Sequence, residues 1–289
     1  MKYLKLFEDF VSTHDTNKLA DIIKMDYSDF VKKLGDDAKD PKFIAAVKAG
    51  RKDGSKDDEK IEFHAPGFSN VIDLIPTQNE IDVNGSLHYP LSNPTSDGKN
   101  PDGMKKILRG EGVTIKAPVV ILNGKYIIDG HHRWSQVYAM NDKGKIETIN
   151  MQTEDKENPI RMLKAVQMAI AASVGSVPTA VVKGQNLLKI AEKDCKDYVT
   201  EKIGEDTLRL LKEIKNIDGK EAAANYIWEN VKSMQKSNQP IPNAPNRSVM
   251  PQTDADKTEK WQDFLKKGSV NFLPKYKAKN QETHKQNEF

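Results

Sequence analysis

The chain has 289 residues, enough for one large or two modest domains, and its 45 Lys and Arg against 42 Asp and Glu leave a formal net charge of only +3. So small a charge gives no overall attraction to nucleic acid or to a membrane surface. The single cysteine excludes an internal disulfide framework and a zinc site built from several cysteines. Since no apolar run is long enough to span a membrane and the first residues lack the apolar core of a signal peptide, we expect a cytoplasmic protein.

Residues 1–60 are predicted to form a helical N-terminal segment. Apolar residues recur at helical spacing in four short stretches, of which the third ends at Gly35 and the fourth begins at Pro41 and stops at Gly50. A mixed charge run, 51–60, then follows. It is predicted to be a solvated linker, because its acidic residues lack the spacing of a calcium loop.

From Ile61 the pattern changes to short strands. Residues 71–75 are predicted to form a strand that Pro76 ends, and the polar residues Gln78 and Glu80 come directly after it. These side chains are either strand-end capping groups or functional groups. The long polar connection 84–109 is typical of a lid or binding loop, with a short helix at 104–108, and a further strand is predicted to begin at Ile115.

The most informative stretch runs from Val119 into a helix. Residues 119–122 form an apolar run and 125–128 are the predicted return strand; the two flank Asn123-Gly124, the strongest two-residue hairpin signal. Asp129-Gly130 then breaks the second strand, and helical spacing begins at His131. A glycine turn that feeds a helix presents unpaired N–H groups, and His131, His132 and Arg133 add cationic groups there, so Gly130 to Arg133 predict an anion site. The alternative is a plain Asp-Gly turn with surface histidines.

The stretch Tyr126–Trp134 resembles the signature turn of the ParB/sulfiredoxin superfamily, which holds the phosphates of a nucleotide. Sulfiredoxins have a catalytic cysteine where this chain has His131, and ParB proteins have Gly-Glu-Arg-Arg at this turn. The free serine kinases resemble it most, because their Asp-Gly-His-His-Arg-Trp matches Asp129 to Trp134 without a gap. The resemblance implies an α+β fold with a small mixed sheet over residues 61–155. It also implies ATP or ADP as the nucleotide, with CTP as an alternative, together with Mg²⁺.

The same resemblance assigns roles to the residues after Pro76. In the kinases a glutamate that acts as the catalytic base stands at the position of Gln78, and in ParB an arginine stands at the position of Glu80. Because an amide has no basic site, Glu80 is the candidate base, with Asp82 as a second choice, and Gln78 is a substrate-binding candidate. Asp129 would orient the turn or a magnesium ion. The catalytic candidates are therefore Glu80, Asp129, His131 and His132, and Gly130, His131, His132 and Arg133 would hold the phosphates; no protein metal site is assigned.

The C-terminal half is predicted to be mostly helical. Residues 145–152 read as an edge or closing strand, and a long helix runs from Pro159 to Gly175. Three further helices, at 186–203, 206–214 and 221–234, complete a helical domain over 156–235, in which the four helices form a small bundle. Cys195 lies in one of them and is expected to be inert.

Residues 236–289 are predicted to form an extended arm. It opens with a proline-rich linker, and its Arg247-x-Val249-x-Pro251 pattern resembles a substrate-side loop of the free serine kinases, with Ser248 where those have a histidine. Arg247 is therefore a substrate-binding candidate. The Lys-rich end of the arm is a candidate site for a protein partner.

Three functions follow from these features. The first is phosphoryl transfer from a nucleotide to a small hydroxyl-bearing substrate. The second is a ParB-like nucleotide-binding protein that associates with DNA, or a ParB-like nuclease; charge-balanced helices weigh against it, and we expect no sequence-specific binding to duplex DNA. The third is a non-catalytic phage structural or interaction protein that keeps the fold, in the host cytoplasm or the virion. Gln78 in place of a base favours it, and so does the N-terminal stretch 1–10, which resembles phage proteins.

Overall fold

The computed structural model describes residues 19, 21–49, 62–92, 102–152, 158–178, 184–251, 257 and 260–261. It confirms the mixed α+β class, with helices packed around a curled, mixed seven-stranded sheet. In the part of the chain that it describes, no helix is both long and apolar enough to cross a membrane. The first predicted helix and most of the C-terminal arm lie outside the described residues.

The sheet is centred on its longest strand. Its members are β1 Glu62–Phe63, β2 Gly67–Asn70, β3 Ile75–Pro76, β4 Gly112–Val113, β5 Val119–Leu122, β6 Tyr126–Asp129 and β7 Lys145–Gln152. Strand β7 pairs antiparallel with β1 and β2, and parallel with β4 and β5. The prediction that 145–152 is an edge or closing strand is therefore wrong. Four short strands from distant parts of the chain pair with β7, and no local sequence pattern predicts such partners.

The predicted hairpin and the helix after it are confirmed. Strands β5 and β6 pair antiparallel around Asn123 and Gly124, both of which have positive φ, as a tight two-residue turn requires. Strand β3 pairs parallel with β6, with Ile75 opposite Tyr126 and Pro76 opposite Ile127. Because parallel neighbours end at the same edge of a sheet, the loop after β3 lies beside the turn after β6.

The strand predicted at 71–75 is mostly a 3₁₀ turn, Val71–Asp73, followed by the two-residue β3. Local polar contacts account for the difference. The Asn70 side chain donates to the Asp73 carboxylate at 2.8 Å, and the Val71 carbonyl accepts from the Trp134 indole N–H at 2.8 Å. Side-chain bonds of this kind compete with strand pairing for short segments.

The helices are α1 Tyr27–Asp37, α2 Pro41–Ala49, α3 Tyr89–Ser92, α4 Gly103–Arg109, α5 His131–Met140, α6 Pro159–Val174, α7 Glu192–Lys202, α8 Glu205–Lys215 and α9 Lys220–Ser237. Helix α1 runs through Gly35, because its buried face continues from Leu34 to Ala38, so the predicted stop at Gly35 is wrong. The strand predicted to begin at Ile115 begins at Val119 instead. The predicted limits of α2 and α6 are confirmed.

Both faces of the sheet are buried, and the two faces carry different helices. Along β5, Val119 and Ile121 belong to a cluster with α5 and α7–α9, whereas Val120 and Leu122 belong to a cluster with α1, α2 and α6. The alternation is that of a strand with apolar residues on both sides. The four C-terminal helices therefore do not form one bundle: α6 packs with α1 and α2 on the face opposite α7–α9.

Candidate functional site

A cavity of about 310 Å³ lies where β6 ends and α5 begins. The turn 129–133 forms its polar side together with Gln78, Lys116 and Arg247. Residues of helix α6, together with Met250 and Pro251, also line the cavity and are mainly apolar. The structure thus brings together the turn, Gln78 and Arg247, which are widely separated in sequence. Glu80 is not among the residues that line the cavity.

The N-terminus of α5 points at this cavity. Gly130 is its N-cap, with φ +98°, and the Gly130 carbonyl accepts from the Trp134 N–H at 2.9 Å. The N–H groups of His131, His132 and Arg133 precede that first bond, so they have no partner inside the helix. The first turn carries no acidic residue that could neutralise the positive end of the helix dipole. This end of α5 therefore suits an anionic ligand.

Arg133 holds the turn in place. Its guanidinium donates to Asp129 Oδ2 at 2.7 Å, to the Ala117 carbonyl at 2.7 Å and to the Pro118 carbonyl at 3.2 Å. The Arg133 and Asp129 side chains are only 12% and 21% exposed. Arg133 therefore fixes the turn against the segment before β5, and it lines the cavity as a group already engaged by the protein.

His131 joins the turn to the loop after β3. Its Nε2 accepts from the Thr77 N–H at 3.1 Å, so an un-ionised ring carries its proton on Nδ1. Burial lowers the pKa of His131 to about 3, and the positive charges of His132, Arg247 and Arg133 act in the same direction. His131 is therefore a neutral, positioned group at physiological pH and not a cation that would attract phosphate by charge.

His132 packs against the π-helical turn Asn84–His88, a kind of turn that is frequent at functional sites. A Cβ atom on Gly85 would lie 2.8 Å from the His132 Nε2, so only glycine leaves room for the ring. Burial lowers the pKa of His132 to about 4; Arg247 lowers it further, whereas Asp82 raises it. The Asp82 carboxylate in turn accepts from the Gly85 N–H at 2.6 Å.

Gln78 and Glu80 face different surroundings. Gln78 is 2% exposed, and its Nε2 has no hydrogen-bond partner among the described residues. A buried donor left without a partner costs about 1–3 kcal/mol. Glu80 is half-buried outside the cavity lining, and its charge, like that of Asp82, raises the pKa of Arg247 against the larger lowering by burial.

The residues that line the cavity could hold a magnesium ion only if a bound phosphate supplied further oxygen ligands. Asp129 is the one carboxylate among the residues that line the cavity, and it is paired with Arg133. Within the described residues, no group of three or more His, Cys, Asp and Glu side chains is placed to hold a metal. Mg²⁺ often binds through one or two carboxylates plus the substrate's phosphates, so Asp129 is the residue that would hold such an ion.

The sequence did not predict the second wall of the cavity. Leu163, Val166, Gln167 and Ile170 of α6 line it, together with Met250. Their apolar pattern predicted an ordinary core helix, and α6 is indeed almost wholly buried. The one sequence signal was Gln167, an amide within an otherwise apolar run.

The stability of the site is expected to depend on pH through His131 and His132. The unfolded state takes up protons near the usual histidine pKa, whereas the folded pKa values are lowered to about 3 and about 4. Their stabilising contribution is therefore complete above pH 6.5 and is lost as the pH falls towards 4. We expect the free energy of unfolding to fall by about 2 kcal/mol between pH 7 and pH 5.5 because of these two residues.

Urea denaturation across that pH range measures this slope. His132→Gln should reduce the slope by about half, whereas His88→Gln, at an exposed histidine, should leave it unchanged. A His132→Gln slope equal to that of the wild type would contradict the assignment of buried, neutral rings.

Comparison with protein-family models, with curated proteins and with solved structures found no match for this chain. The likeness of Asp129–Trp134 to the free serine kinases therefore stands on those residues alone. Of these residues, 129–133 line the cavity together with Gln78 and Arg247.

Proposed function

We propose that the cavity binds the polyphosphate of a nucleotide, and that the protein transfers a phosphoryl group to a small hydroxyl-bearing substrate. The observation that carries the proposal is the convergence of the α5 N-terminus, Arg247 and the unpartnered Gln78 amide on one cavity. The central domain would then be ParB/sulfiredoxin-like, with the free serine kinases as the nearest resemblance.

The electrostatics of the lining support phosphate as the ligand. Arg247 and Lys116 supply positive charge, and the N–H groups at the start of α5 supply directed donors. The neutral histidines add shape and hydrogen-bonding groups. Phosphoryl transfer depends mainly on positioning and on charge stabilisation, both of which such a site can provide.

The test is transfer of phosphate from ATP or ADP, with Mg²⁺, to free serine and related small alcohols. If Glu80 accepts the hydroxyl proton, Glu80→Gln should lower the rate by about 10²–10⁴-fold. Gln78→Ala should mainly weaken binding. Equal rates for wild type and Glu80→Gln would exclude Glu80 as the base.

A second function, nucleotide binding without turnover, is favoured by a specific observation. The one carboxylate on the cavity wall, Asp129, is held in an ion pair, and an amide occupies the base position at Gln78. A protein of this kind would use the nucleotide as a structural or regulatory ligand. Tight nucleotide binding by the wild type with no transfer to any hydroxyl acceptor would select this function over the first.

We expect no sequence-specific binding to duplex DNA. Helices α7, α8 and α9 carry nine basic and nine acidic residues, so they present no basic recognition helix. Many of the basic side chains are paired on their own helix, as in Lys193–Asp197, Lys196–Glu192, Arg209–Glu213 and Lys232–Glu229.

Selection from a random duplex pool, followed by titration at several salt concentrations, checks this expectation. The predicted result is no enriched sequence. A selected duplex that binds more tightly than about micromolar at physiological salt, with a steep salt dependence, would contradict it.

A further inference from the structure

We propose that a cation outside the 129–133 turn, Lys116, supplies charge that recognises phosphate in the cavity, and that its strained backbone serves this contact. The inference rests on the proposed function, because it requires an anionic ligand at the N-terminus of α5. It departs from the family resemblance, which implies that Arg133 and the two histidines of the turn hold the phosphates.

Lys116 has an uncommon backbone conformation. Its φ is +59°, and the Ala117 N–H donates to the Ile115 carbonyl at 2.6 Å, which closes a three-residue turn around Lys116. With a positive φ, this is the rare and strained form of the γ-turn. The other non-glycine residues with positive φ in the described part of the chain are all asparagines, which tolerate this conformation: Asn123, Asn216 and Asn243. The conformation of Lys116 must therefore be imposed by its surroundings.

Contacts on both sides of Lys116 hold this turn. Arg133 donates to the Ala117 carbonyl at 2.7 Å and to the Pro118 carbonyl at 3.2 Å, and Ile115 packs against the hydrophobic cluster that contains α5. Strained residues that are over-determined by their surroundings cluster at functional sites. Here the turn places Lys116, an exposed residue, in the lining of the cavity. Arg133 is thus a positioning residue for Lys116.

The groups that could carry positive charge at the cavity differ in what already balances them. Arg133 is paired with Asp129, and the charges of two carboxylates act on Arg247. The two histidines of the turn are neutral at physiological pH, because their pKa values are lowered to about 3 and about 4, mainly by burial. Within the described residues, no ion pair or hydrogen bond engages the Lys116 ammonium group. Its charge is therefore the one that remains for a ligand.

Three substitutions at position 116 separate the effect of the charge from that of the backbone. Lys116→Arg keeps both the charge and the strained turn. Lys116→Met removes the charge and keeps the strain. Lys116→Gly removes the charge and relieves the strain, because glycine adopts positive φ readily. Calorimetric titration with inorganic tripolyphosphate measures binding, and the melting temperatures of the unliganded variants measure stability.

We expect Lys116→Met and Lys116→Gly to bind tripolyphosphate at least tenfold more weakly than the wild type, and Lys116→Arg to retain most of the affinity. Loss of the charge should also make the affinity less sensitive to salt, which damage to the fold alone would not do. Lys116→Gly should melt about 2–4 °C higher than Lys116→Met. A gain in stability together with a loss of binding is expected where strain serves function.

Two variants elsewhere in the chain are the controls. Asn216→Gly also replaces a residue of positive φ, +58°, at the end of α8 and not in the cavity lining. Lys189→Met removes the charge of an exposed lysine that is not part of the lining. Both should leave the affinity for tripolyphosphate and its dependence on salt unchanged.

The outcomes separate this inference from the proposed function. Equal tripolyphosphate affinity in the wild type and Lys116→Met would overturn the role of Lys116 and leave the phosphate site intact. A loss of affinity in Lys116→Arg as large as that in Lys116→Met would contradict recognition by charge. If Lys116→Gly melted no higher than Lys116→Met, the turn would hold no strain, and that half of the inference would be overturned. Absence of tripolyphosphate binding by the wild type would overturn the proposed function and this inference together.

Discussion

Replacing Arg133 by alanine is expected to lower the free energy of unfolding by about 3 kcal/mol. The change leaves the part-buried Asp129 carboxylate without its ion pair and removes the contacts to the Ala117 and Pro118 carbonyls. Because Arg133 fixes the turn that starts α5, nucleotide affinity should also fall at least tenfold, or about 1.4 kcal/mol. Urea denaturation and calorimetric titration measure the two effects.

Arg209→Ala is the matched control for this change. Arg209 also pairs with carboxylates three and four residues away on its own helix, but those groups are exposed. Exposed ion pairs contribute little, so we expect no measurable change in stability or binding. If Arg133→Ala lowered the free energy of unfolding no more than Arg209→Ala does, the Arg133 contacts would not hold the turn.

The second large effect is expected for Gly130→Ala. Gly130 has φ +98°, and a Cβ there would lie 2.9 Å from Arg133 Nη2 and 3.0 Å from Val119 Cγ2. The left-handed backbone and the crowding together should destabilise the fold by about 2–4 kcal/mol. The displaced guanidinium should also weaken nucleotide binding.

Gly175→Ala separates the two causes. Gly175 also has a positive φ, +68°, but a Cβ there would meet nothing within 4 Å. Only the cost of the left-handed backbone applies, so we expect the free energy of unfolding to fall by about 1 kcal/mol and nucleotide binding to be unchanged. Equal losses at both positions would mean that the close approach of Arg133 and Val119 to Gly130 has no energetic consequence.

The turn could be predicted because its signals are local. Asn123-Gly124 sets the hairpin, Asp129-Gly130 ends the strand, and helical spacing begins at the next residue. Each of these features is decided by neighbours within a few residues. The same locality explains why the glycine turn at the N-terminus of α5 could be predicted from the sequence.

The two sides of the cavity that come from other segments were harder to predict. Arg247 was marked only by a faint pattern, and it reaches the site because the Pro245 carbonyl accepts from the Asn79 N–H at 2.9 Å and the Ile241 N–H donates to the Pro76 carbonyl at 3.2 Å. The α6 wall depends on which face of the sheet α6 covers. Neither contact can be predicted from local sequence propensity, because tertiary packing decides both.

The most direct measurement is titration of ¹⁵N-labelled protein with inorganic tripolyphosphate, followed through backbone amide resonances. We predict saturable shifts of the His131, His132 and Arg133 amides, with affinity reduced at least tenfold in Arg247→Ala. The amides of Glu205 and Asp206, at the start of α8, serve as a control helix N-terminus and should not shift. Absence of saturable shifts at residues 131–133, or equal shifts at both helix termini, would contradict the phosphate site.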